Sequence, residues 1–591
     1  MTSIAADEVP EWDLTDLYAG MDDPELGSDL ERAAADAAAF ADAYDGRLQG
    51  IDGPGLAKAI TDYEILGETL SRAMSFAQLM FAADSSDPAT ARFYQSVKER
   101  VTAASSRTVF FELQLNDIDD TALAALMETP EVNRYASWIR AVREFRPHQL
   151  SEELERLLHE KSVTGRGAWN RLFDETMSAM RFEVDEQQLT SSEVLDMMSD
   201  PDGARRETAA RAFADGLGRN IRLLALITNT LAKDKEIEDR WRKFPRPVSR
   251  RNLSNRVEDE VVDALVRSVS GRYDDIAHRY YLLKARWMGL GKLQYWDRNA
   301  PLPEAENRLT PWQEARETVL GAYGAFSPEM AARAEVFFDR SWIDARPRAG
   351  KDSGAFSHPT VPSAHPYILM NYRGKTRDIM TLAHELGHGV HQTLAAPQGQ
   401  LLADTPLTLA ETASVFGEML TFRALLDRED DAAAKRVMLA SKIEDMINTV
   451  IRQTAFYEFE RQVHDERPEG ELGPERLGEI WMSIQGRSLG PAFEFDPSYA
   501  CYWAYIPHFV HSPFYVYAYA FGDCLVNSLY ELFKDGHPDF QAKYLEMLKA
   551  GGTLRHKELL APFGLDAGDP EFWNRGLNVV SGFVDELEAA F

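Results

Sequence analysis

Residues 381–391 read Thr381-Leu-Ala-His384-Glu385-Leu-Gly-His388-Gly-Val-His391. His384 and His388 are four apart, so on a helix they stand one turn above each other on one face. Two imidazoles so placed bind a single zinc ion, and Glu385 falls beside the metal, where its carboxylate takes a proton from water. With 13 histidines in 591 residues, chance produces H-E-x-x-H in only about 2% of chains this long. No proline interrupts residues 378–394 and Pro397 closes the run, so the spacing predicts a helix there. The competing reading is a pair of histidines satisfied by the core or by solvent.

A catalytic zinc site needs a third protein ligand and one position left for water. The metzincin pattern requires Gly at 391 and His at 394, where this chain has His391 and Leu394. A carboxylate from a second helix is the remaining route. After Pro406 the chain runs Leu407-Thr-Leu-Ala-Glu411-Thr-Ala-Ser-Val-Phe-Gly-Glu418, which predicts a helix with Glu411 and Glu418 on one face, two turns apart. A carboxylate on an otherwise apolar face is costly unless paired or metal-bound. Glu411 is therefore expected as the third ligand, and Glu418 as the acceptor that orients a histidine. The alternative is two surface carboxylates on an amphipathic helix.

Outward from this region the pattern is mostly helical. Apolar residues recur every three or four positions over Glu25–Arg47, Leu56–Ala83, Pro88–Gln114, Ala204–Arg242 and Glu258–Met288. Strand signals are confined to Met180–Val184 and Pro366–Tyr372 (PYILMNY), the latter either an ordinary buried strand or an edge strand to which an extended peptide could add by backbone bonds. Lys243–Arg250 and Asp344–Pro362 read as loops, and Gly354 either admits a substrate backbone or makes a simple turn. No repeat of 20–50 residues is present.

The 64 Lys+Arg against 95 Asp+Glu give a net charge of −31. Spread over the roughly 21,000 Å² expected for this mass, the excess charges stand about 26 Å apart, beyond the Debye length of about 8 Å. Such diffuse acidity argues against nucleic acid or an anionic membrane as partner. Two cysteines, Cys501 and Cys524, exclude a disulfide scaffold and a cysteine-rich metal site. The first residues, MTSIAADEVPEW, show neither a basic nor an apolar leader segment, so a cytoplasmic enzyme with reduced thiols is expected.

His384-Glu385-Leu-Gly-His388-x-x-His391, followed by Glu411 and Glu418, resembles the M3 family of zinc metallopeptidases, which includes thimet oligopeptidase and oligoendopeptidase F. Trp12-Asp-Leu-Thr-Asp-Leu-Tyr18, Ser353–Ser357, Pro366–Tyr372 and the His508–Tyr519 stretch are similar to the oligoendopeptidase F branch. The resemblance implies a mostly α, elongated, zincin-type (gluzincin) fold. It also implies a deep substrate channel between two helical halves and a small β-sheet near the zinc helix. Residues 1–200 would form an N-terminal helical region and 201–591 the catalytic region. It further implies one Zn²⁺, cleavage of internal bonds in short peptides, and His391 close to the metal ligands. His508, Tyr515 and Tyr519 would donate hydrogen bonds to the oxygen that becomes negative as water attacks the carbonyl, with Tyr517 also open, because the spacing here differs from the thimet branch. Two other readings compete: a metallocarboxypeptidase with the same zinc helix, and a non-catalytic peptide-binding scaffold.

Overall fold

The computed structural model describes residues 9–303 and 309–591; the first eight residues of the N-terminal stretch discussed above lie outside them. The chain forms two compact units, each assembled from three separate stretches of sequence. One takes residues 9–146, 309–428 and 532–565, the other residues 147–303, 429–531 and 566–591.

In the first unit, an aspartate with a proline one or two residues on starts successive helices. Asp23, Asp52 and Asp87 each cap the following turn, accepting from the N–H of Glu25, of Gly55 and of Ala89 and Thr90, while a proline occupies the first turn. The resulting helices Pro24–Tyr44, Gly53–Ala83 and Pro88–Ser105 pack on one another. The expected helix Pro88–Gln114 is interrupted at residues 106–109 and resumes at Phe110–Asp117.

A three-stranded sheet lies against these helices. Tyr367–Leu369 is its central strand, parallel to Ile343–Asp344 and antiparallel to Phe356–His358. Of the two readings of PYILMNY, the buried strand holds and the edge strand is corrected. All three residues of the strand are buried, as a strand paired on both sides requires. The two edges are Ile343–Asp344 and Phe356–His358, the latter inside the stretch expected to be loop. Beneath the sheet, Trp12–Tyr18 is pinned in place. Asp13 N–H donates to Ser341 O (2.9 Å), Tyr367 Oη donates to Asp13 O (2.8 Å), and Leu14, Leu17 and Tyr18 share a core with Phe76 and Tyr367. A buried clasp closes the other side, where Lys351 Nζ donates to Asp344 Oδ1 (2.7 Å) and to Met370 O (2.6 Å). Those four contacts tie both flanking segments to the central strand.

The histidine motif lies on the helix Thr376–Ala395, which packs most extensively on Thr412–Arg428. Gly387 marks the contact: a Cβ there would stand 2.4 Å from Ala413 O and 2.6 Å from Ser414 Cα. Only glycine allows that approach. The expectation of a mostly α chain with a small sheet beside the motif helix holds.

In the second unit the long helix Gly203–Trp241 is capped by Asp202. The expected helix Glu258–Met288 is three pieces, Asp259–Ser270, a wider π-turn at Asp274–His278, and Arg279–Trp287. Phe182–Val184 pairs with Gln187–Leu189 as a hairpin, and a short helix, Ser249–Ser254, starts where a loop was expected. Among the described residues, no helix is long and apolar enough to cross a membrane.

Candidate metal centre

His384, His388 and Glu411 present donor atoms to one point in the first unit, all within 4.8 Å of one another. The two histidines come from the motif helix with ring centroids 4.9 Å apart. Glu411 arrives differently from the expectation. Leu407–Ala410 forms a single turn, Glu411 ends it (φ −75°, ψ −1°), and a separate helix begins at Thr412. Glu411 thus sits at a break, and its side chain is turned towards the histidines. Glu411 Oε2 lies 3.3 Å from His384 Nε2 and 3.4 Å from His388 Nε2.

Those separations test whether a zinc ion fits. Ligand atoms at about 2.0–2.1 Å from a tetrahedral zinc are about 3.3–3.4 Å apart, whereas a direct charge-assisted hydrogen bond closes to about 2.7–2.9 Å. Two nitrogens and one carboxylate oxygen are also the donor set zinc favours in sites that leave a position open. The three side chains remain 18–27% exposed, which leaves that side accessible. The residues fit the ion.

Their surroundings fix each ligand. His384 Nδ1 faces Glu418 Oε2 at 3.3 Å. The Ala410 carbonyl faces both His388 and His391, so ending the short turn at that residue supplies a hydrogen-bond acceptor for the rings. Ser414 Oγ donates to Glu411 Oε2 (2.6 Å), and Tyr323 Oη donates to Ala383 O (2.5 Å), bracing the helix just before His384. Sequence pattern alone singles out neither Ser414 nor Tyr323. Ser414 stands three residues after Glu411, an ordinary spacing for neighbours on a helix face that does not set it apart.

Burial and neighbouring charges compete here: burial lowers His384, but Glu411 and Glu418 outweigh it and hold the ring well above its usual value. Burial pushes Glu385 up to about 7, with Glu411 adding to the rise and His384 and the Ser357 N–H opposing it. Burial lowers His388 to about 4 and His391 to about 4, which keeps both rings neutral at physiological pH, the form in which a histidine ligates. Burial alone would raise Glu411, but the two motif histidines outweigh it and hold the carboxyl well below its usual range.

His391 is buried, 3.4 Å from Thr405 Oγ1. With His388 and Gln392 it borders a cavity of about 530 Å³ whose other wall includes Trp342, Val361 and Pro362. Gln392 also holds the edge strand, accepting from Ser357 Oγ (2.9 Å) and donating to Ser357 O (3.1 Å). Gly354 N–H donates to Asp352 Oδ1, a simple turn.

His508, Tyr515 and Tyr519 gather in the second unit. Tyr519 Oη is 3.4 Å from His508 Nε2, and Tyr515 stacks on the His508 ring with centroids 5.8 Å apart. Burial lowers the His508 pKa, aided by Arg452 and His511. Tyr517 is different: fully buried, its hydroxyl accepts from Asn255 Nδ2 at 2.8 Å.

Comparison with known proteins gives a consistent picture. The sequence profile of peptidase family M3 matches residues 196–579, and that of oligopeptidase F matches residues 114–182. Oligopeptidase PepF of Bacillus subtilis (strain 168) is 27% identical over 90% of this chain and 80% of its own length. Group B oligopeptidase PepB of Streptococcus agalactiae is 27% identical over 98% of this chain and 97% of its own. Among solved structures, oligoendopeptidase-F from Enterococcus faecium superposes with a TM-score of 0.72 at 22% identity, covering 96% of this chain and 97% of that one.

Proposed function

The chain belongs to peptidase family M3, and from that premise we propose that it is a zinc-dependent oligoendopeptidase that cuts internal bonds of short peptides. It is a metallopeptidase, a hydrolase of peptide bonds; the proposal concerns the metal, the bond chosen and the residues at work. The convergence of His384, His388 and Glu411 with 3.3 and 3.4 Å separations carries it.

A zinc ion bound by these three residues supplies Lewis acidity to water and to the scissile carbonyl. Glu385 takes the proton from the attacking water as the new C–O bond forms, then delivers it to the nitrogen as the C–N bond breaks. Glu418 and the Ala410 carbonyl hold the two histidines in the tautomers and orientations that ligation needs. His508, neutral because burial lowers its pKa, and Tyr515 and Tyr519 donate hydrogen bonds to the carbonyl oxygen as it gains charge. An extended peptide adds to the edge strand Phe356–His358, whose Ser357 N–H is shared with Glu385.

We further assign the N-terminal region to about residue 200 to a helical extension and residues 201–591 to the catalytic region. The working location is the cytoplasm, where Cys501 and Cys524, both free thiols, stay reduced, and neither nucleic acid nor membrane is a partner. The test is an incubation of purified protein with blocked short peptides and one intact folded protein, with and without chelator, read by mass spectrometry. Internal fragments from short peptides alone, abolished by chelator and restored by zinc, are expected. Release of single C-terminal residues, or cleavage indifferent to the chelator, would overturn the reading.

A further inference from the structure

In a chain of net charge −31, the second unit contains a cavity of about 260 Å³ lined by four cations, Arg166, Lys235, Arg250 and Arg251, and by two carboxylates, Asp234 and Glu238. Pairing removes some of these charges. Glu238 accepts from Arg242 Nε and from Arg250 Nη1, each at 2.8 Å, and Lys235 Nζ donates to Asp239 at 2.6 Å. Arg166 and Arg251 are placed differently. Each donates to a backbone carbonyl, Arg166 Nη2 to His511 O (2.7 Å) and Arg251 Nε to Pro513 O (3.2 Å). Asp234 lies within electrostatic reach of Arg166, and burial together with Glu238 raises its pKa.

A guanidinium carries five N–H donors in a planar fork. One bond to a carbonyl leaves other donors on each fork, and both side chains line the same cavity. Arg250 and Arg251 repel Arg166: burial lowers its hold on its proton and the two guanidinia lower it further, with Glu238 and Asp234 offsetting part of the effect. A compact group with two or more negative oxygens would relieve that repulsion, and its geometry matches paired forks better than chloride or water does.

The carbonyls that these arginines hold lie in the segment running into Tyr515 and Tyr519. Glu460 grips the same segment from another side, accepting from Phe514 N–H at 2.9 Å where Phe514 adopts a left-handed φ of 59°. His511 Nε2 meets Asp174 Oδ1 at 2.8 Å. The residues from His508 to Tyr519 are thus suspended from side chains, and two of those side chains wall the cationic cavity.

We propose that this cavity binds a small oxyanion of the phosphate or carboxylate class, gripped by Arg166 and Arg251, and that occupancy sets the position of the 508–519 segment. The binding stands apart from the peptidase reading; its effect on turnover rests on that reading. Two sources share this chemistry: a free inorganic anion, and the terminal carboxylate of a peptide.

Titration calorimetry of the zinc-loaded protein with inorganic phosphate, at fixed ionic strength, reads binding without turnover. Saturable binding is expected, weakened about tenfold by Arg166→Ala and by Arg251→Ala, since each removes a charge-assisted contact, and tightened by Asp234→Asn. Arg166 lines the cavity and is not part of the buried core, so its variant leaves the core intact; should Arg251→Ala not fold, Arg251→Lys keeps the charge without the fork and weakens binding less. A second arm compares KM for a peptide acid and its C-terminal amide. An amide penalty present in the parent and absent from Arg166→Ala identifies the peptide terminus as the source, and phosphate binding without such a penalty identifies a free anion. The proposal falls if phosphate binding is absent or equal in all variants and the acid and amide do not differ.

Discussion

Glu385 keeps only 6% of its surface exposed and stands between His384 and the Ser357 N–H. A carboxyl raised towards neutrality moves a proton in either direction with small penalty. Glu385→Gln is expected to keep fold and metal while kcat drops about 10²–10⁴-fold; turnover near the parent level, at matched metal content, would refute the assignment. Glu411→Ala should instead lose the metal itself, which elemental analysis after dialysis reads directly. Glu460 offers a stability test away from the metal. It is 2% exposed, and burial pushes it up to about 8, with the Phe514 N–H, Arg251 and Lys235 acting the other way. Because the folded value exceeds the ordinary 4.5, the folded state favours the protonated form. Its burial costs nothing below about pH 4.5, costs progressively more up to about pH 8, and is constant above that. Every tenfold gain in proton affinity on folding corresponds to about 1.4 kcal/mol. Glu460→Gln should therefore gain thermal stability over the parent as the pH rises from 5 to 8; a pH-independent difference would contradict this. The roles of His384, Glu385 and His388 are legible from spacing alone, since they share one helical face. That of Glu460 is not, because its significance lies in a partner, Phe514, more than fifty residues away.

At the scale of elements, the metal centre depends on how closely two helices approach. The Gly387 Cα faces backbone, Ala413 O and Ser414 Cα, rather than a side chain that could swing aside. Gly387→Ala is expected to force the helices apart, at a cost of about 1–3 kcal/mol typical of overpacking, and to weaken zinc binding because Glu411 hangs from the displaced side. Thermal unfolding and a competitive zinc titration measure the two effects. An intact zinc affinity would show that Glu411 is held independently of the crossing. The sequence suggests a continuous helix through Glu411, since nothing between 407 and 418 breaks one by propensity. The break is tertiary: the Ala410 carbonyl serves two histidine rings, and Tyr544 Oη donates to Thr412 O at 2.8 Å. PYILMNY is legible as a strand. Its place at the centre is not, because both neighbours come from a stretch rich in Pro, Gly and Arg that lacks strand periodicity.

Across the whole molecule, local periodicity locates most helices yet says nothing of their grouping. Contacts between residues hundreds of positions apart decide that, as when Trp12 meets Tyr367 edge to face at 6.0 Å. The Trp12–Tyr18 motif acquires a physical meaning from this: it forms the floor of the sheet whose edge strand adjoins Glu385. A fragment comprising 201–591 should accordingly lack a cooperative thermal transition and bind zinc more weakly than the full chain, because Tyr367 loses Leu14, Tyr18 and Phe76 together. A sharp transition with full affinity would show that the sheet stands without its floor. The three-part assembly of the first unit also has a bearing on biosynthesis. At about 5–20 residues per second, a ribosome that has delivered residue 146 needs roughly 20–80 s more to reach residue 532. For the first part of that interval, until Tyr367 and Leu402 have been made, the nascent N-terminal helices carry apolar faces whose eventual neighbours do not yet exist, so a chaperone that shields them during translation would raise the yield of the native protein.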